Sequence, residues 1–164
     1  MTRRRRAGAR RRRAQFVVAL ALTAGVMAPP LLADPSETDD PLASDIDYVV
    51  GKAAIGVRRW ADAVHSLTRA ERRFPDNADL QNDLGFSYRN LKQFDEAFRH
   101  YKRALVLDPR HRGAHEYIGE AYLMVDDLPN AERHLAALRE ICLLPCEELD
   151  DLKNAVDVYK SRKR

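Results

Sequence analysis

From Ser44 to about Ile141, apolar residues return every three or four positions, the spacing of helices that bury one face. Ile46, Val49, Val50 and Ala53 set the first stripe; a second runs from Trp60 to Phe74 and stops at Pro75. Ser44 with Asp47 forms an approximate capping pair ahead of the first helix, and Asp76 and Asn77 supply a turn and a cap for the next. The same two-helix plan returns from Ala78 to Pro109 and again from Arg112 to about Ile141. After Pro145 a last helix places Leu149, Leu152, Val156 and Tyr159 on one face and charged residues on the other, the pattern of a cap.

One feature of these helices runs against local preference. A glycine inside a helix costs about 1 kcal/mol relative to alanine, yet Gly51, Gly85 and Gly119 each sit in mid-helix, and they are spaced by 34 residues. Ala63, Ala97 and Ala131 keep the same interval, as do Trp60, Phe94 and Leu128, the pair Tyr88 and Tyr122, and the pair Pro75 and Pro109. Such coincidences at one period mark a repeat array. At these residues the chain resembles the tetratricopeptide repeat (TPR) family, with the middle repeat, carrying Gly85, Tyr88, Ala97, Ala104 and Pro109, closest to the family pattern. Ala54 replaces an aromatic in the first repeat, and Leu138 and Leu143 replace a small residue and the proline in the third, as terminal repeats often do.

The resemblance implies an all-α fold, an α-solenoid of three helix-turn-helix units (44–77, 78–111 and 112–145) with a capping helix and basic terminus over 146–164. It also explains the glycines, because the paired helices must cross closely there, with Ala63, Ala97 and Ala131 expected as the small facing residues. The function implied is a non-enzymatic protein-binding scaffold with a concave groove lined by the first helix of each unit. On this chain the lining positions are Asp45, Tyr48, Lys52 and Ile55; Asp79, Asn82, Phe86 and Arg89; and Glu116, Glu120 and Leu123. The set mixes apolar anchors with a weak acidic bias, suited to an apolar peptide with some positive charge. It lacks the lysine and asparagine arrangement with which chaperone adaptors of the family clamp a terminal carboxylate.

Charge changes the picture at the start of the chain. Residues 1–33 hold eight arginines and no acid, so the formal net charge of +3 leaves −5 for the remainder. A net acidic remainder argues against a nucleic-acid partner, whose phosphates need a basic surface. The arginines precede the apolar FVVALALTAGVM, then APPLLA and an abrupt acidic segment, the order of a secretory signal peptide over 1–33. The apolar run falls short of the roughly 20 residues of a membrane helix, so the expectation is an exported, periplasmic or secreted protein with no stable membrane insertion after cleavage. An uncleaved anchor is the alternative. Residues 34–43, acidic and carrying Pro35 and Pro41, read as a linker.

Candidate chemistry is confined to Cys142 and Cys146 in CLLPC. In an exported chain without other cysteines this spacing favours a local disulfide, whereas a redox pair or a copper site would make the protein a redox or copper-handling one. His134 lies eight residues before Cys142, about 12 Å along a helix, too far to share an ion. His100 and His134 occupy equivalent repeat positions and are expected to face solvent; His111 falls in the inter-repeat turn, four residues before His115. No phosphate loop, HExxH, GxSxG or dinucleotide fingerprint occurs, so neither an enzymatic activity nor a cofactor is expected.

Overall fold

The computed structural model describes residues 40–163, and every regular element among them is an α-helix. The signal assigned to residues 1–33 and most of the linker lie outside the described residues. The helices are α1 (Ile46–Gly56), α2 (Trp60–Glu71), α3 (Ala78–Asn90), α4 (Phe94–Leu107), α5 (Arg112–Met124), α6 (Leu128–Ile141) and α7 (Glu147–Arg162). Within residues 40–163, α1 packs on α2, α3 on α4 and α5 on α6; each pair stacks on the next, and α7 lies against α5 and α6. The result is an α-solenoid of three helical hairpins closed by a seventh helix.

Helix boundaries follow from where free backbone groups find partners. Asp45 rather than Ser44 caps α1: its carboxylate accepts from the Tyr48 N–H at 3.0 Å, while Ser44 Oγ donates to the Pro41 carbonyl. A carboxylate there also meets the positive end of the helix dipole. Asn77 caps α3 through the Leu80 N–H, as its sequence context predicts. α2 ends at Glu71, short of Phe74, because the Arg73 and Phe74 amides both turn back onto the Ala70 carbonyl ahead of Pro75.

The turn inside each hairpin is built the same way three times. Arg58, Lys92 and Asp126 adopt left-handed backbone, with φ of 59°, 63° and 61°. In each, the following amide reaches back five residues: Arg59 N–H to Ala54, Gln93 N–H to Tyr88 and Asp127 N–H to Tyr122. This is the Schellman closure, in which glycine usually takes the left-handed position. Here three charged residues occupy it instead.

The helical glycines serve a different need. A Cβ on Gly51 would stand 2.5 Å from Leu67 Cδ2, and one on Gly85 would stand 2.6 Å from the Tyr101 ring. One on Gly119 would stand 2.6 Å from Leu152 Cδ2 of α7. The facing residues are therefore large, not Ala63, Ala97 and Ala131. Ala63 and Ala97 are fully buried one turn before Leu67 and Tyr101 on the second helices, and their small size lets the helices approach until that Leu or Tyr fills the space over the glycine; Ala131 is fully buried on α6, while Gly119 is covered from α7. Tyr101 is wholly buried, whereas Trp60, Tyr88, Phe94 and Tyr122 are only half-buried.

Two expectations about surfaces are reversed. Ile46, Val49 and Val50 face solvent, and α1 buries Gly51 and Ala54 instead, with Leu42 folded back into the same core. His100 is 1% exposed and His134 half-buried. His100 Nδ1–H donates to Gln81 Oε1 at 2.7 Å and its ring stacks on Tyr88. His115 Nε2 lies 3.1 Å from the Pro109 carbonyl, which can only accept, so that nitrogen carries the proton and Nδ1 accepts from His134 Nδ1–H at 2.9 Å. Burial holds His100 and His134 down at about 4 and lowers His115 as well, so all three are neutral donors and acceptors between helices.

Candidate functional site

The first helices α1, α3 and α5 bring most of the expected lining positions into three clusters, one for each step along the array. At the first step, Lys52 Nζ meets Asp83 Oδ1 at 2.9 Å and the Tyr48 hydroxyl donates to Asp83 Oδ2 at 3.1 Å. Asp83 is 8% exposed, and burial raises its carboxyl while Lys52 and Tyr48 pull it back down. Asp45 does not join this cluster; its carboxylate is held at 2.7 Å by both Arg73 Nε and Nη2. Ile55 packs into the first core.

At the second step Phe86 stands between Trp60, ring centroids 5.6 Å apart, and Tyr117 at 4.9 Å. Arg89 lies over both Phe86 and Tyr117, donates to the Tyr117 carbonyl and pairs with Glu120. Leu123 packs into the third core and borders a notch of about 420 Å³ shared with Arg89, Met124, Val158 and Tyr159. Met124 and Val158 leave apolar surface exposed there.

The third cluster lies where α3, α5 and α7 converge. Asn82, Gly113, Glu116, Tyr117, Glu147, Glu148 and Asp151 line a pocket of about 230 Å³. Glu116 is 8% exposed. Burial first, then Glu120, Asp151 and Glu148, raise its carboxyl to about 8, with Arg89 opposing. Asn82 is 7% exposed and its amide oxygen has no hydrogen-bond partner among the described residues. Asp79 stands apart: its carboxylate accepts from His111 Nε2–H at 3.0 Å, while His111 Nδ1 caps α5.

The sequence reading missed the α7 contribution, Glu147, Glu148 and Asp151, and the α3 residue Asp83. The signal was available: Tyr117 and Asp151 stand one and two 34-residue periods after Asp83, so carrying the register past Pro145 places Asp151 beside the stripe.

Cys142 and Cys146 are joined, with Cα atoms 6.1 Å apart. The bridge ties the end of α6 to the start of α7 and leaves Leu143 and Leu144 exposed at its tip. With both sulfurs bonded, neither is a free thiolate for a metal or a substrate. Among the described residues no group of three His, Cys, Asp or Glu is placed to hold a metal ion, and no helix is long and apolar enough to cross a membrane.

Comparison with known proteins agrees with this architecture. The family profile described as Tetratricopeptide repeat matches residues 48–109 and again 87–142. Among solved structures, the TPR2B domain of yeast Sti1 in its complex with pHsp70 is 21% identical, covering 72% of this chain and 95% of that one, with a TM-score of 0.65. The second TPR domain of human RPAP3, in complex with the HSP70 peptide SGPTIEEVD, is 17% identical over 66% of this chain and 91% of that one, TM-score 0.59. MamA from AMB-1 is 28% identical over 63% of this chain and 57% of that one, TM-score 0.55. No curated protein matches.

Proposed function

This chain belongs to the tetratricopeptide repeat family, and we propose that it acts as a non-enzymatic scaffold, binding a peptide segment of a partner along the stripe formed by α1, α3 and α5. The observation that carries the reading is the half-exposed Phe86, set between Trp60 and Tyr117 and fixed by Arg89. A rigid aromatic at the centre of a surface is the usual form of a binding anchor.

Charge narrows the ligand. The two stripe bases are already used, Lys52 by Asp83 and Arg89 by Glu120, whereas the acids around Glu116 have little opposing charge. The peptide bound by the RPAP3 domain ends in acidic residues; a peptide of that kind would meet like charge here. The fitting ligand is apolar with positive charge.

We further propose that the protein works outside the cytoplasm, supported by the basic, apolar and acidic order of residues 1–40 and by the joined cysteines. Finding intact Met1 on most of the exported protein would count against a cleaved signal. For the binding reading, peptides selected from a displayed random library on the purified chain should bind Phe86→Ala by more than about 1 kcal/mol less tightly, with helical circular dichroism unchanged. Equal affinities for the two proteins would move the interface off this stripe.

A further inference from the structure

We propose that the pocket between α3, α5 and α7 is a subsite for one guanidinium group, an arginine side chain of the docked peptide, held by Asn82, Glu116 and Asp151. It rests on the scaffold reading and gives that stripe its specificity.

Two observations converge on it. The first is charge: Glu116, Glu147, Glu148 and Asp151 come from two helices to one pocket, opposed by Arg112, 3.6 Å from Glu148, and by Arg89, which is already paired with Glu120. The second is the unpaired amide of Asn82, which lines the same pocket. Leaving a buried acceptor unpaired costs free energy that a ligand donor would recover. The amide nitrogen stands on the Gly113 side of the pocket, so a half-turn presents the oxygen to the pocket and puts the nitrogen in the enclosed place.

The chemistry of the occupant follows from size and donor count. At about 230 Å³ the pocket is smaller than the roughly 300 to 1,000 Å³ of small-molecule sites, and it suits a single side chain. The acids are not grouped as ligands for a metal ion. A guanidinium presents five donors in a planar fork, enough to meet two carboxylates and an amide oxygen together, whereas an ammonium is a point charge. Its entry would also take the place of the proton that burial retains on Glu116.

The test uses N-acetyl-arginine methylamide as a probe, titrated into the purified chain and followed by NMR. Saturable shifts are expected at the Gly113 amide and the Asn82 side-chain amide. They should be absent with N-acetyl-citrulline methylamide, which keeps the shape and loses the charge, and absent in the Glu116→Gln/Asp151→Asn variant. Failure to shift those two signals, or equal shifts with citrulline, overturns the subsite whatever the fate of the groove. A second arm separates the two readings. Peptides selected on the chain should carry an arginine whose replacement by citrulline weakens binding about tenfold, and this difference should collapse in the double variant. Peptides that depend on Phe86 but not on arginine would leave the scaffold reading standing and remove the subsite.

Discussion

The seam inside the hairpins and the stripe that faces outward obey different rules. In the first two seams the same solution recurs, Gly51 under Leu67 and Gly85 under Tyr101, Gly119 being covered instead by Leu152 of α7, and all three hairpins share a left-handed turn at Arg58, Lys92 and Asp126. On the stripe, successive helices diverge. The carboxylate of Asp83 is matched by Lys52 and Tyr48, whereas that of Glu116, equally enclosed, has acids as its main neighbours. Repetition thus marks what packing demands. Divergence marks where each repeat was free to choose a contact, and the unmatched carboxylate is the one poised to meet something from outside.

The largest expected effect tests the seam. Gly85→Ala should destabilise the fold by about 2 kcal/mol, the overpacking against the Tyr101 ring exceeding the gain in helix propensity. The same change at Gly56, where an added Cβ meets nothing within 4 Å, should stabilise by about 0.5 to 1 kcal/mol. Opposite shifts in thermal midpoint are the signature; equal shifts would break the steric account.

Next comes the unmatched carboxylate. Because the folded state holds the Glu116 proton up to about 8, folded protein keeps a proton that the unfolded chain has lost, and stability falls as pH rises toward that value. His100 and His134, lowered to about 4, act in the opposite sense, adding stability as pH rises from about 4 to about 6.5. Between about pH 6.5 and 8 the Glu116 slope stands alone among the three, a loss of about 1.5 kcal/mol that Glu116→Gln should abolish in denaturant titrations.

The matched carboxylate should respond less. Lys52→Met leaves Asp83 with the Tyr48 hydroxyl, and with Lys52 half exposed the loss should be about 1 kcal/mol at neutral pH. The loss should shrink under acid conditions, where Asp83 takes up a proton. A loss independent of pH would show that the lysine stem, not its charge, matters. Smallest is Lys92→Gly, which relieves a left-handed backbone at the cost of chain entropy and should change stability by less than about 1 kcal/mol, toward greater stability.

Most of the seam was legible because it repeats: the 34-residue interval of the glycines, alanines and prolines fixes the helix pairs without knowledge of any contact. The turns were not, because Arg58, Lys92 and Asp126 carry no chemical mark of left-handed backbone where a glycine would have shown it. The partner of Gly119 was hidden as well, since it comes from α7, outside the repeats that were counted. His100 and His134 were misread because flanking charges suggest a wet face, while a neutral imidazole with a donor and an acceptor partner buries readily. On the stripe, Asn82 and Glu116 could be placed by register. Their enclosure could not, because it depends on α7 closing over them.

The neighbour-only stacking of these helices has a kinetic consequence. Apart from hairpin partners, each described helix touches only the helices of the adjacent step, so few pairings require distant parts of the chain to meet. Such local topology favours rapid folding, because little loop closure precedes the first stabilising contacts. Structure can begin in any hairpin and spread in either direction, and the middle one, with a neighbour on each side, gains most from propagation. The corner between α3, α5 and α7 takes residues from three consecutive steps of the array, so the acidic pocket cannot be present in the first hairpin to form and is assembled only once its neighbours have docked.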